Sequence, residues 1–479
     1  MKRLLLIHPA PRSLSVGFGQ TEGWGLPPLS LAYVAALTPP SWDVKIVDEC
    51  VEILDFDEPF DLVGITAYTA NAPRAYEISK RYRSKGVTVV LGGIHATMLP
   101  DEALQHVDAV VLGEAEPVWG QVISDHERGA LARRYEAPRQ PLIRLPIPRR
   151  DLLSRRYKLE AIQTTRGCPF RCEFCAVTAF NGSDYRQRPV EDVLDELETI
   201  EGPVVYFIDD NFFGTKQHRE RSIALCRGML ERGIKKTWVT QATLNVAQDE
   251  EVMKHARDAG CIGVLVGIES IQRETLKAMK KAANLQFGAD GMAEAIRNLH
   301  RYGIGVCAAF IFGHDHDDLG VFEDTLKYVR ETGIDAVNPS LLTPYPGTAL
   351  FERLQREGRL IYRSYPEDWE RFDENNVTFI PKRMSVTDLV RGFDYLTRES
   401  CSGPAIFRHA ARSLYMSRSV PATMLGYQLN AGNRKMFDHD SRFRHARAPE
   451  SRPAPLIERA RAALDRAASR LGSLGARAK

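Results

Sequence analysis

Residues 164–182 read TTRGCPFRCEFCAVTAFNG, placing Cys168, Cys172 and Cys175 in a CxxxCxxC spacing. Structural zinc sites and ordinary four-iron clusters are held by four protein ligands. Three thiolates leave one metal position open for a small molecule, which points to catalysis rather than architecture. The run follows a short apolar segment at 161–164, so it reads as the loop after a strand.

Working outward, five more strands are expected at 204–208, 237–242, 262–267, 306–312 and 336–342, with helices such as 189–200, 250–259, 289–302 and 319–332 between them. Six βα units with short connections predict a parallel barrel or part of one, a partial (β/α)6 TIM-like barrel whose site faces the carboxyl ends of the strands. The cysteine loop falls on that face. Upstream, apolar runs at 3–8, 44–48, 62–66, 87–92 and 109–113 alternate with helix-like stretches at 28–37 and 72–85. That pattern predicts an α/β unit with a doubly wound, Rossmann-like parallel sheet. Ligands of such sheets bind at the carboxyl ends of the strands. Those ends carry Thr66, Ala67, Tyr68 and Thr69, then Gly92, Gly93, Ile94 and His95, then Gly113, Glu114, Ala115 and Glu116. A Gly-Gly pair there lets a ligand approach the backbone closely, or simply makes a tight turn. The expected organisation is a sheet domain over 1–130, an Arg- and Pro-rich linker over 131–160 and a barrel over 161–380. A helical extension over 381–440, covering part of the barrel mouth, and a basic tail over 441–479 complete it.

The chain of 479 residues is long enough for two or three domains, and 44% hydrophobic with 26% charged residues is an ordinary soluble balance. The opening MKRLLLIHPAP is too short in apolar residues for a signal segment. No stretch approaches the roughly 18 apolar residues that span a bilayer. Cys50, Cys226, Cys261, Cys307 and Cys401 stand singly and far apart, which is no disulfide framework, so a reducing cytoplasm is expected. Cys226 and Cys307 read as structural residues, and His314 and His316 as part of a polar strand-end loop. Net charge is +2, but residues 441–479 hold ten Lys/Arg against three Asp/Glu. The remaining 440 residues are slightly acidic and give no electrostatic reason to expect nucleic acid. In the tail Leu456, Ala460, Leu464, Ala467 and Leu471 recur at helical intervals among arginines. This is either a basic amphipathic helix fit for peripheral contact with an anionic membrane or a solvated tail.

The cysteine spacing after the first strand of a six-unit barrel resembles the radical S-adenosylmethionine (radical SAM) superfamily. The resemblance implies that Cys168, Cys172 and Cys175 bind three irons of a [4Fe–4S] cluster whose fourth iron is chelated by SAM. Phe174 matches the aromatic before the last cysteine. VGIES at 266–270 resembles the fourth-strand segment that contacts SAM, which assigns Glu269 and Ser270. IDDN at 208–211 stands where other members carry a GGE-like segment that receives the SAM amino group, which assigns Asp210 and Asn211. FIFGHDHDD at 310–318 aligns with the segment beside the adenine, which assigns Ile311. The run LLTPYPGTALFERLQREGRL at 341–360 resembles the sixth-strand end of the cobalamin-dependent branch, where Tyr345 faces the substrate or makes a rigid turn.

LPPLSLAYVAAL, GITAYTANAPRAYEIS, LGGIHATMLPDEAL and VVLGEAE, in this order ahead of the cysteines, resemble the cobalamin-binding domain of that branch. The resemblance covers roughly residues 1–380 and implies cobalamin contacts from Thr66, Tyr68, Thr69, Gly92, Gly93, His95, Gly113 and Glu114. The DxHxxG motif that supplies a cobalt-binding histidine elsewhere is absent from this domain. Cobalamin is therefore expected to bind without a protein histidine on cobalt, with Tyr68, Thr69 or Asn71 nearest its lower face.

The implied activity is a C-methyltransferase. One electron passed into SAM releases a 5′-deoxyadenosyl radical that takes hydrogen from an unactivated carbon, and methylcobalamin delivers the methyl group. The alternatives are ring closure, contraction or rearrangement without net methylation, and a cobalamin- or cluster-binding sensor without turnover. Expected partners are a small-molecule substrate (a natural product, lipid or pigment precursor) in a cavity between the two domains, and an external low-potential donor such as flavodoxin or ferredoxin.

Overall fold

The computed structural model describes residues 1–11 and 25–444. Strands β1 (Lys2–His8), β2 (Trp42–Asp48), β3 (Leu62–Thr66), β4 (Thr88–Gly92), β5 (Ala109–Leu112) and β6 (Arg134–Glu136) form one sheet in the order β2-β1-β3-β4-β5-β6. Every neighbouring pair is parallel. Helices cover both faces, so the central strands read as unbroken apolar runs rather than alternating ones. Leu4, Leu5, Leu6 and Ile7 are all at most 1% exposed, with Leu5 and Ile7 in one core layer and Leu4 and Leu6 in the other. Gly64 at the centre of β3 allows this packing: a Cβ there would lie 2.8 Å from Leu6 and 3.6 Å from Trp119. β6 lies past residue 130, so the segment read as a linker opens with a sixth strand of this sheet. Its three residues are too few to carry a periodic signal.

The second sheet contains β7 (Glu160–Ile162), β10 (Val204–Phe207), β11 (Thr237–Ala242), β12 (Cys261–Glu269), β13 (Gly305–Phe312) and β14 (Ala336–Leu341), all parallel in the order β14-β13-β12-β11-β10-β7. Between β7 and β10 sits a two-residue antiparallel pair, β8 (Thr165–Arg166) with β9 (Arg186–Gln187). The sheet is an open barrel with β7 and β14 as its edges. In β13 the residues Val306, Ala308, Phe310 and Phe312 are buried under helices, while Cys307, Ala309 and Ile311 are half-buried on the alternate face.

Helices Val386–Ser400, Gly403–Ser417 and Val420–Arg444 follow. The last does not cover the mouth as expected but closes the opposite end, while the first packs Leu389 on Gly313, just past the end of β13. Asn430 Nδ2 donates to the Asp335 carbonyl (2.7 Å) and Asn433 Nδ2 to the Val337 carbonyl (2.8 Å), at the start of β14. The fit depends on small residues there, since a Cβ on Gly305 would meet Ala422 at 3.3 Å. The mouth is strapped instead by the segment after β14. Its short helix Glu367–Arg371 packs on Thr69–Asn71 and on helix Ala72–Ser84 of the first sheet. There Trp369, 1% exposed, donates from Nε1 to the Glu102 carboxylate (3.0 Å) and stacks on Tyr365.

The halves are joined at two further places, by ion pairs at one and by a hydrogen bond from Tyr33 at the other. Arg166 meets Glu114 (3.2 Å) and Glu116 (2.5 Å), and Arg186 meets Glu114 (2.5 Å). Arg150 and Arg188 converge on buried Glu196 (2.5 and 2.6 Å), which also accepts from the Tyr33 hydroxyl. Among the described residues no helix is long and apolar enough to cross a membrane. Residues 445–479, with the amphipathic pattern at 456–471, lie outside the described residues.

Candidate active site between the two sheets

The thiol loop is built on a buried carboxylate. Asp209, at the end of β10, accepts from the Thr164 backbone N–H (2.9 Å), from the Thr165 hydroxyl (2.6 Å) and from the Thr165 backbone N–H. Burial pushes the Asp209 pKa up to about 6, and the Thr165 hydrogen bond and the Arg221 charge oppose that rise. The next turn requires Gly167, at φ +90°: a Cβ would lie 2.2 Å from the Asp184 carbonyl oxygen. The loop is held from outside as well. Glu173 donates its N–H to the Met279 carbonyl, accepts from the Leu350 N–H, and pairs with Arg353 at 2.6 Å.

All three thiols are half-buried, and burial pushes each pKa up, Cys175 to about 11. Backbone N–H groups at Phe170 and Val177 oppose this at Cys168 and Cys175, as does the Lys281 charge at all three. Three desolvated thiols with N–H donors and an ammonium facing them suit a cluster, because hydrogen bonds to sulfur and nearby charge stabilise its thiolates. The donor set therefore fits the cluster ligands expected at Cys168, Cys172 and Cys175.

Glu269 sits at φ +65° as the last residue of β12, with its carboxylate 2.8 Å from Lys281 Nζ. Gly267 makes room for this pair, since a Cβ there would lie 2.9 Å from that nitrogen. Burial lowers the Lys281 pKa, but Glu269 and the cysteines raise it more, so the ammonium persists. Ser270, buried beside Glu269, accepts from the Gln272 N–H through its hydroxyl. Asp210 takes a hydrogen bond from Asn181 (3.1 Å), and burial pushes its pKa up. Phe174 stands edge-on to His314, and Ile311 packs beside Leu342 and Leu350. Asn211 departs from its assignment to SAM. Its Nδ2 donates to the Gly214 carbonyl (3.1 Å), its Oδ1 accepts from the Thr243 N–H (3.2 Å), and it is 1% exposed. Its amide is engaged in holding the turn after β10.

A cavity of about 770 Å³ lies between the carboxyl ends of the two sheets. Thr66, Tyr68, Gly92, Gly93, Gly113 and Glu114 line one side; Phe174, Cys175, Asp210 and Tyr345 line the other. The first wall spans the β1/β3 switch point, where parallel sheets of this strand order bind ligands. Gly93 is necessary there, at φ +92° with a would-be Cβ only 2.8 Å from Thr66 Oγ1 and 2.9 Å from the Ala67 backbone. Three residues expected near cobalamin are not on the wall. Thr69 and Asn71 are buried, with Asn71 Nδ2 donating to the Pro9 carbonyl. His95 is fully buried, its Nε2 3.1 Å from both the Tyr76 hydroxyl and Glu102, in the same packing knot as Trp369. The glycines at 92–93 turn the backbone so that His95 points into the domain. Glu114 lines the cavity but is paired with Arg166 and Arg186.

Two wall residues carry no signal in the sequence. His8, at the end of β1, lines the cavity with its Nδ1 held by Asp48 at 3.0 Å and its ring edge-on to Tyr68. A histidine is therefore present on the cobalamin side without any DxHxxG motif. Glu374, at φ +67° in the strap, accepts from the Tyr345 hydroxyl at 3.2 Å. Glu374 is exposed to the cavity, and desolvation by the surrounding protein pushes its pKa up. Only the fold brings these two residues to the ligand space.

The Radical SAM superfamily model matches residues 162–347, the B12 binding domain model residues 23–122, and a domain of unknown function residues 348–431. The bacteriochlorophyllide d C-12(1)-methyltransferase of Chlorobaculum tepidum is 32% identical over 85% of this chain and 89% of its own. The hopanoid C-2 methylase of Rhodopseudomonas palustris is 30% identical over 70% of this chain and 66% of its own. An anaerobic magnesium-protoporphyrin IX monomethyl ester cyclase of Rubrivivax gelatinosus is 29% identical over 74% and 70%. Among solved structures, the cobalamin-dependent SAM radical enzyme OxsB aligns with a TM-score of 0.66 at 16% identity, over 92% of this chain and 72% of that one. The chain belongs to the cobalamin-dependent radical SAM enzymes. Its cofactors are a [4Fe–4S] cluster, SAM and cobalamin.

Proposed function

We propose that this enzyme methylates an unactivated carbon of a rigid, largely apolar polycyclic substrate held in the cavity between the two sheets. The observation that carries the reading is that one continuous cavity touches both the thiol loop, through Cys175, and the glycine-lined ends of the first sheet. When bound, the cluster with SAM supplies a hydrogen-abstracting radical and cobalamin supplies the methyl group. The chain's own part is placement. Cys168, Cys172 and Cys175 fix the cluster, and Asp210 offers a carboxylate to the SAM amino group. The Glu269–Lys281 pair sets the charge beside them. Gly92, Gly93 and Gly113 leave the corrin-sized space that a side chain would fill. Phe174, Val177, Phe180 and Ile208 keep the cavity poor in water. Tyr345 and Glu374 are its polar pair, with Glu374 holding the Tyr345 hydroxyl proton in a hydrogen bond. An external low-potential donor such as flavodoxin or ferredoxin supplies the electron.

The substrate class is suggested by the relatives, which are named for bacteriochlorophyllide, hopanoid and magnesium-protoporphyrin, all rigid polycycles. The cavity's apolar lining matches such a skeleton. The test is anaerobic turnover with SAM, reductant and a panel of tetrapyrroles and hopanoids. A product heavier by one CH₂, with one S-adenosylhomocysteine per product, is the expected result. An unchanged carbon count with substrate consumed would replace methylation by the ring-forming reading that the cyclase relative favours. Failure to release 5′-deoxyadenosine from SAM under any condition would remove the catalytic reading altogether.

A further inference from the structure

The barrel end opposite the thiol loop carries an open groove of about 1180 Å³ that no part of the reaction uses. Arg257, Arg297, Arg301 and Arg418 line it, and no Asp or Glu does. None of these four forms an ion pair among the described residues; Arg301 donates only to Asn298 Oδ1 (3.1 Å). Elsewhere the arginines are heavily paired, as Arg219, Arg232 and Arg353 each meet two or more carboxylates. Four guanidiniums lining one groove without an ion-pair partner among the described residues repel one another, and a bound anion relieves that repulsion.

Apolar side chains are exposed at the groove, which Leu414, Tyr415 and Val420 line, and beside it on the same two helices. Phe407 is 76% exposed, Tyr415 84% and Val420 63%, and Leu414, Met424 and Tyr427 are each exposed by close to half. Phe407, Leu414 and Tyr415 recur at helical spacing on Gly403–Ser417, and Val420, Met424 and Tyr427 on Val420–Arg444, so two adjacent helices each turn an apolar stripe to solvent. Contiguous exposed apolar patches mark binding surfaces. From residue 401 to the end there are fifteen Lys/Arg against five Asp/Glu, a net +10 in a chain whose total is +2. The charge is thus concentrated on the same part of the chain as the exposed aromatics, and residues 445–479 continue it from the end of the last helix.

We propose that this floor of the barrel docks on an anionic membrane surface. The guanidiniums take lipid phosphates while Phe407, Tyr415 and Val420 enter the boundary between headgroups and acyl chains. A soluble anion would use the arginines but leave the exposed aromatics in water, and an apolar protein partner would leave the arginines uncompensated; a membrane satisfies both. The active-site mouth then faces away from the bilayer, so docking anchors the enzyme and leaves the cavity entrance free. The inference stands apart from the proposed reaction.

The test is co-sedimentation of the full chain with vesicles of phosphatidylglycerol and phosphatidylcholine, against phosphatidylcholine alone, at equal ionic strength. The wild-type protein is expected to pellet with the anionic vesicles only. The triple variant Arg257→Gln, Arg297→Gln, Arg301→Gln and the separate double variant Tyr415→Ser, Val420→Ser should each lower partitioning at least about tenfold. Both should still cleave SAM, which shows that they are folded, and because the double variant changes only exposed side chains it supplies the answer if the triple variant does not fold. Equal pelleting with neutral vesicles, or wild-type pelleting of the variants (binding by residues 445–479 alone), overturns the proposal. So does full displacement by millimolar inorganic phosphate, which would mark a soluble-anion site.

Discussion

The two parallel sheets present their carboxyl ends to the same cavity, yet they prepare them by opposite means. The first sheet removes side chains: Gly92, Gly93 and Gly113 line its wall, and its acidic residues Glu114 and Glu116 are turned onto Arg166 and Arg186 of the other half. The barrel instead concentrates titratable groups, with three thiols, Asp210 and Glu269 at strand ends and Lys281 just before helix Ala282–Leu285, several of them shifted by burial. A large preformed cofactor is recognised by an absence, the space a Cβ would occupy. A cluster and a small zwitterion must be recognised by charges at fixed points. The two halves are therefore separable by mutation.

The largest expected effect is Cys168→Ala, which should lower 5′-deoxyadenosine release to background while cobalamin stays bound through gel filtration. Cobalamin loss in that variant would break the separation. The converse is Gly93→Val, which forces a β-branched residue to φ +92° against Thr66 and Ala67. Cobalamin retention should be lost, with SAM cleavage kept within about threefold; equal loss of both would show one cooperative unit. Lys281→Met leaves Glu269 without its counter-charge beside the thiols, and breaking such a buried pair costs roughly 3–5 kcal/mol. SAM cleavage should fall by at least about tenfold, measured at saturating SAM, with cobalamin spectra unchanged.

A smaller effect concerns protons. In the cluster-free protein the Cys175 thiol holds its proton to about pH 11, above the ordinary thiol value. Alkylation of Cys175, followed by peptide mass, should therefore reach half its maximal rate near pH 11. The folded chain binds this proton more tightly than the unfolded one, so the group's contribution to stability is present below about pH 9 and is lost as pH rises towards 11. Half-maximal alkylation at the ordinary thiol value would contradict the burial of the loop. Smallest is Trp369→Phe, which removes the hydrogen bond to Glu102 and should cost about 1–2 kcal/mol in denaturant unfolding.

The same contrast governs what the sequence discloses. Cys168, Cys172, Cys175, Asp210 and Glu269 stand out in the sequence as candidates because residue type at fixed spacing carries the family resemblance. The twelve principal strands are legible except β6, since eleven of them carry apolar runs bounded by turns. The glycine wall is legible only as a pattern, which is why His95, next to Gly93, was expected at the ligand when the backbone turns it inward. Asn211 was misread for a related reason: a strand-end amide serves its own turn as readily as a ligand, and only the positions of Gly214 and Thr243 decide. His8 and Glu374 depend on long-range closure, one at the end of the first strand and the other in the strap after the last. No local signal announces either.

The strap has one more consequence. Through Trp369 and Glu102 it ties the segment after the last barrel strand to the first sheet while contributing Tyr345 and Glu374 to the cavity, and it holds none of the candidate cluster or glycine-wall residues. Selection can therefore rewrite the strap at positions other than Leu350 and Arg353, which brace Glu173 in the thiol loop, and leave that loop as it stands. Under the proposed reaction, Tyr345 and Glu374 are the strap's contribution to substrate choice, and exchanging these two positions between relatives is the natural way to move it.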